Sequence, residues 1–70
     1  MLLKVEVELE ADGRWLADVV ALPGVMAYGP TRIKALAAAE ALALRVIADR
    51  LEHGELASDG RLQLELEAVG

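Results

Sequence analysis

Seventy residues, 56% of them apolar and with a formal net charge of −5, describe one acidic domain near the lower size limit for a self-sufficient core. The charge argues against a nucleic-acid surface. The absence of Cys and the single His remove disulfides and a Cys/His metal site, and Glu40 and Arg45 interrupt the longest apolar stretch, so no membrane span is expected. With Trp15 and Tyr28 as the only aromatics, the core must be aliphatic and small per side chain, and oligomerisation is the remaining source of stability. Met1-Leu2-Leu3-Lys4 passes straight into alternation without a signal-peptide pattern, so a cytoplasmic location is expected.

Leu3, Val5, Val7 and Leu9 alternate with Lys4, Glu6, Glu8 and Glu10, which predicts a strand with one buried and one acidic, wet face. Ala11-Asp12-Gly13 is a hairpin signal, and a second strand runs from about Arg14 to Val20. Its parity has two solutions. A two-residue loop turns Leu16, Asp18 and Val20 inward; a three-residue loop with Gly13 in the left-handed region turns Trp15, Ala17 and Val19 inward. The second is preferred, because it keeps the Asp18 carboxylate out of the core and sets Glu10 opposite Arg14. Leu22-Pro23-Gly24 breaks this strand, with Pro23-Gly24 as the turn, and Val25 to Tyr28 forms a short third strand that Gly29 ends.

The chain is organised around the segment that follows. Pro30 fits just before or at a helix start, Thr31 can cap the free N–H groups of the first turn, and Ile33 to Leu51 contains neither Gly nor Pro and is rich in alanine. Arg50 and His53 stand in the last turn, where cations meet the negative helix end, and Gly54 follows as the terminating glycine. About 21 residues give a helix of roughly 31 Å, the width of a small domain. At about 100° per residue, Leu36, Ala39, Ala43, Val46 and Ile47 form the stripe that faces the sheet, widened by Leu42. Ile33, Ala37, Leu44, Ala48 and Leu51 form an adjoining stripe, with Glu40 between. One sheet face does not need both, and Ile33, Leu44 and Leu51 are therefore candidates for a subunit interface, in a homodimer or higher even-numbered assembly.

After a loop over 55–60, with Ser58-Asp59-Gly60 as its turn, Leu62, Leu64, Leu66 and Ala68 alternate with Arg61, Gln63, Glu65 and Glu67 as a fourth strand. The order β-β-β-α-β, as one domain over residues 1–70, predicts an α+β layer with one long helix on a mainly antiparallel sheet.

Side chains that could carry chemistry are few. His53 reads as a helix cap. Glu6, Glu8, Glu65 and Glu67 could in principle hold a metal for phosphodiester chemistry, but alternation on a wet strand face accounts for them more simply. No nucleophile set, phosphate-binding loop or metal-ligand spacing is present, and neither catalysis nor a cofactor is expected. Gly13, Pro23, Gly24, Gly29, Thr31 and Gly54 read as turn and cap positions.

Asp12-Gly13-Arg14-Trp15-Leu16-Ala17-Asp18-Val19 leads into Leu22-Pro23-Gly24-Val25, then Gly29-Pro30-Thr31, Ala35-Leu36 and Ala39, and the run closes in Leu51-Glu52-His53-Gly54-Glu55. In order and spacing, over about residues 1–57, this series resembles the HicB-like antitoxin domain. The resemblance implies a partial RNase H-like β-β-β-α-β fold and a non-catalytic role as the antitoxin half of a toxin–antitoxin pair, binding a small basic RNA-cleaving toxin of the HicA kind. Many members carry a C-terminal DNA-binding domain; with Gly70 as the last residue none is expected here, nor direct DNA binding. Pro30 stands where an acidic or Ser residue is common in the family and Ile33-Lys34 where a Glu-Glu pair is, so no capping box is expected and Ile33 enlarges the second apolar face. The alternative expectation is a stand-alone homo-oligomeric interaction scaffold.

Overall fold

A computed structural model describes residues 1–56 and 59–70. Strands β1 (Leu2–Leu9), β2 (Trp15–Val19) and β3 (Met26–Gly29) precede helix α1 (Arg32–Glu52), and β4 (Glu65–Val69) closes the chain. The chain is α+β in the expected order. The sheet order is β3-β2-β1-β4, with β1/β2 and β2/β3 antiparallel and β1/β4 parallel, so the sheet is mixed. The parallel pair follows from topology: the helix carries the chain back along the sheet before β4 begins.

The hairpin takes the three-residue solution. Glu10 N–H donates to the Arg14 carbonyl at 2.7 Å, Gly13 N–H donates to the Glu10 carbonyl, and Gly13 has φ +88°. Leu9 therefore pairs with Trp15 and Val5 with Val19, and Ala17 and Val19 are fully buried. The expected Glu10–Arg14 pair exists in the backbone, but the Arg14 side chain goes elsewhere: its Nε donates to Asp12 Oδ2 at 2.7 Å and its guanidinium lies 4.2 Å from the centre of the Tyr28 ring. Asp12 Oδ1 also accepts from Arg14 N–H, and that bond first, then the side-chain bond from Arg14, holds the exposed Asp12 carboxyl below its ordinary value.

Pro23 and Gly24 occupy the centre of a tight turn. Val25 N–H donates to the Leu22 carbonyl at 3.0 Å and Gly24 has φ +83°, the type II geometry that calls for Pro then Gly. Leu22 and Val25 flank the turn and are both buried. Gly29 has a different reason. A Cβ there would stand 2.5 Å from the Ala35 nitrogen and 2.9 Å from its Cα, so the strand end and the first turn of the helix touch through the missing side chain. Gly29 ends β3 just before the helix, and it also lets the helix backbone sit against the strand.

The helix ends as its sequence requires. Thr31 Oγ1 accepts from Lys34 N–H at 3.1 Å. At the other end Gly54 (φ +70°) donates to the Leu51 carbonyl and Glu55 to the Arg50 carbonyl, the paired bonds of a Schellman motif. His53 Nδ1 lies 2.7 Å from the Asp49 carbonyl, a capping contact.

The sheet-facing stripe is made mostly of alanine: Ala35, Ala39 and Ala43 are fully buried, Ile47 is buried beside them, and Leu36, Leu42, Val46 and Leu51 pack around them half-buried. Leu51 thus packs against the core and does not share the exposure of Ile33 and Leu44. The helix lies over β3 and β2 and reaches β1; on the inner side of β4 Leu66 packs half-buried against the core and Ala68 is left open. Three differences from the periodicity follow. Leu9 is exposed, because at its end of the sheet the helix starts over β3. Ala68 is exposed on the far edge, and β4 begins at Glu65 instead of Leu62, which is exposed as well. Asp59 Oδ1 accepts from Arg61 N–H and Gly60 has φ +95°, a turn as expected, although Ser58 lies outside the described residues.

Three outcomes are expected in chemical denaturation. Gly24→Val lowers stability by about 1–3 kcal/mol from φ strain alone, since its Cβ would meet no neighbour. Gly29→Ala lowers it by about 1–3 kcal/mol through backbone overlap with Ala35; a Gly29→Ala protein as stable as wild type contradicts the close seating. Trp15, half-buried at the rim of the core, costs roughly 3 kcal/mol when cut to Ala, at the low end for a Trp, and its fluorescence maximum lies between buried and exposed values.

Candidate functional site

The outer face of the sheet, away from the helix, carries Lys4, Glu6 and Glu8 from β1, Leu16 and Asp18 from β2, Met26 and Tyr28 from β3, and Glu65, Glu67 and Val69 from β4. Register places them in rows. Glu6 stands directly opposite Asp18, with Met26 beyond it on one side and Val69 on the other. Glu8 stands opposite Leu16, and Leu16 opposite Tyr28. Lys4 pairs in register with Glu67.

Two like charges facing each other across an antiparallel pair are unfavourable. Here Glu8 lies on the same strand and face as Glu6, and among the described residues no cation comes within ion-pair distance of Glu6, Glu8 or Asp18; Arg14 pairs with Asp12, and His53 Nδ1 lies 3.2 Å from Asp49 Oδ1. Glu6, Glu8 and Asp18 line a shallow open cleft of about 330 Å³ together with Leu16, Val69 and Gly70. Its neighbours Met26 and Tyr28 are exposed, and Asp18 and Leu16 are half-buried. The result is an acidic centre bordered by apolar side chains.

No group of acidic, His or Cys side chains among the described residues is arranged to hold a metal ion. The acidic residues singled out from the sequence separate: Glu6 and Glu8 share the cleft, whereas Glu65 and Glu67 sit on the edge strand. The residue that sequence reasoning passed over is Asp18, to which no role was given. The signal was available, because a hairpin that sets Glu10 opposite Arg14 also sets Glu6 opposite Asp18 four residues further along each strand.

The remaining predicted positions are Gly13, Pro23, Gly24, Gly29, Thr31 and Gly54, all in turns, close approaches or caps, and none of them in the cleft. Of the interface candidates, Ile33 is 77% and Leu44 49% exposed on the outer helix surface, on the opposite side of the domain.

The chain is therefore a small α+β domain with an acidic, apolar-bordered outer sheet face. Compared with protein-family models, curated proteins and solved structures, it matches none. No described helix is long and apolar enough to cross a membrane.

The opposed carboxylates give a direct test. Asp18→Asn or Glu6→Gln raises stability by a few tenths of a kcal/mol at low ionic strength, and the gain shrinks as salt is added. Urea midpoints at two salt concentrations measure it; a loss of stability in both variants shows that these carboxylates are compensated within the fold.

Proposed function

We propose that this domain is a non-catalytic, cytoplasmic protein-binding module, similar in role to the HicB-type antitoxins whose motif series its sequence resembles. It docks a small basic RNA-cleaving protein on the outer sheet face and so covers that protein's active surface. The observation that carries the reading is the uncompensated Glu6–Asp18 pair, with Glu8 beside it and Leu16, Met26, Tyr28 and Val69 around it. A partner that places Arg or Lys in the cleft relieves the repulsion and buries apolar surface in the same contact. Arg14 on Tyr28 is an internal example of a guanidinium settling on this face.

A second reading, a stand-alone homo-oligomeric scaffold, draws on the exposure of Ile33 and Leu44 and makes the outer helix surface the functional one.

Co-expression with the product of the neighbouring reading frame, followed by size-exclusion chromatography and an RNA-cleavage assay, separates them. The antitoxin reading expects a complex in which cleavage is suppressed. Glu6→Lys with Asp18→Lys should weaken that complex by a factor of 100 or more, on the order of 3 kcal/mol for two reversed charges at an interface. The absence of a basic binding partner, or a complex indifferent to both reversals, removes it.

A further inference from the structure

The outer surface of α1 carries charges that the helix itself does not call for. Its first turn holds no acidic residue and contains Lys34, and Glu52 closes its last turn. A helix N-terminus is its positive end and a C-terminus its negative end, so both side chains oppose the local dipole. Both are exposed, and neither has an ion-pair partner among the described residues. They stand about five turns apart on a single line of the helix. On one side of that line stands Arg45; on the other run Ala37, Ala41 and Ala48, all exposed, and then Ile33 and Leu44.

We infer that α1 pairs with α1 of a second copy of this chain, antiparallel about a two-fold axis that crosses the outer surface of the helix at the level of residue 43, midway between Lys34 and Glu52. Such an axis brings the same flank of each helix together. Lys34 then meets Glu52 of the other copy, and Glu52 meets its Lys34, so one pairing satisfies both charges twice. Each also moves beside the helix end of opposite sign: Lys34 next to the other helix's C-terminus and Glu52 next to its N-terminus. A parallel arrangement would instead set Lys34 against Lys34 and Glu52 against Glu52. The alanines allow the helix axes to approach closely, and Leu44, next to the axis, packs with its counterpart at the centre. Ile33 covers the last turn of the other helix. The two acidic sheet faces point outward from this dimer, so it presents two docking surfaces at once.

The inference fixes the geometry of self-association and does not depend on a toxin partner. Sedimentation equilibrium of the full chain at micromolar concentration tests it. Wild type is expected to be dimeric, and Leu44→Glu to be monomeric with an unchanged circular-dichroism spectrum; Ile33→Glu provides the same reading should Leu44→Glu fold poorly. Lys34→Glu and Glu52→Lys each place a charge that favours the helix dipole, so neither weakens the helix itself. Each is expected to raise the dimer dissociation constant roughly tenfold, and the double variant to return it to near the wild-type value. A monomeric wild type, or a dimer that survives both Leu44→Glu and Ile33→Glu, overturns the inference. A dimer lost in Leu44→Glu but without recovery in the double variant overturns the antiparallel pairing while leaving the scaffold reading standing, and the partner assay is unaffected by either result.

Discussion

The structure depends on how closely α1 can lie on the sheet. Ala35, Ala39 and Ala43 on the helix and Ala17, Val5 and Val19 on the strands are all fully buried, and among the described residues no fully buried side chain is larger than Val. Small side chains on both layers bring the backbones together, and Gly29 completes the approach at the helix N-terminus, where even a methyl group would overlap Ala35. A helix seated this low over β2 and β3 does not also reach across β4, so the parallel edge strand keeps Ala68 in water. The larger aliphatic residues of the helix are displaced to its flanks: Leu36, Leu42, Val46 and Leu51 rim the core, while Ile33 and Leu44 pass beyond it. The domain is correspondingly slender, 43 × 18 × 16 Å.

The two outer surfaces then acquire different characters for one reason. The sheet buries one face on a thin alanine layer and leaves the other wet, and the three-residue hairpin fixes which residues those are. Gly13 at positive φ sets Glu10 against Arg14; with that register Trp15, Ala17 and Val19 turn inward and Glu6 must oppose Asp18. The same backbone choice that protects the core from a carboxylate concentrates carboxylates outside. Arg14, just before β2, bonds Asp12 and lays its guanidinium over Tyr28, and so does not reach the Glu6–Asp18 row.

Most of the fold was legible because each element carried its own boundary chemistry. Thr31 as cap, Gly54 as terminator, Pro23-Gly24 as turn and the period-2 runs of β1 and β4 are local signals, and local physics decides them. The parity of β2 was legible through the cost of burying Asp18. What the periodicity misjudged were tertiary matters: Leu9, Leu62 and Ala68 have the inward parity but no layer above them, Leu51 belongs to the core where the wheel set it with Ile33 and Leu44, and Ala35 is buried because Gly29 draws the first helical turn down. The parallel register of β4 on β1 has no local signature at all. For the candidate site, the individual carboxylates could be read, but their juxtaposition required carrying the hairpin register four residues along, from Glu10 and Arg14 to Glu6 and Asp18.

The central claim is that the outer sheet face receives a cationic partner at the Glu6–Asp18 cleft. Titration of the uniformly ¹⁵N-labelled domain with an arginine-rich peptide at low ionic strength tests it residue by residue. The account predicts salt-sensitive amide shifts concentrated at Glu6, Glu8, Leu16 and Asp18, with Ala37, Ala41 and Leu44 on the helix unmoved. Shifts spread evenly over all exposed carboxylates, with Asp49 and Glu52 moving as far as Glu6 and Asp18, would contradict it.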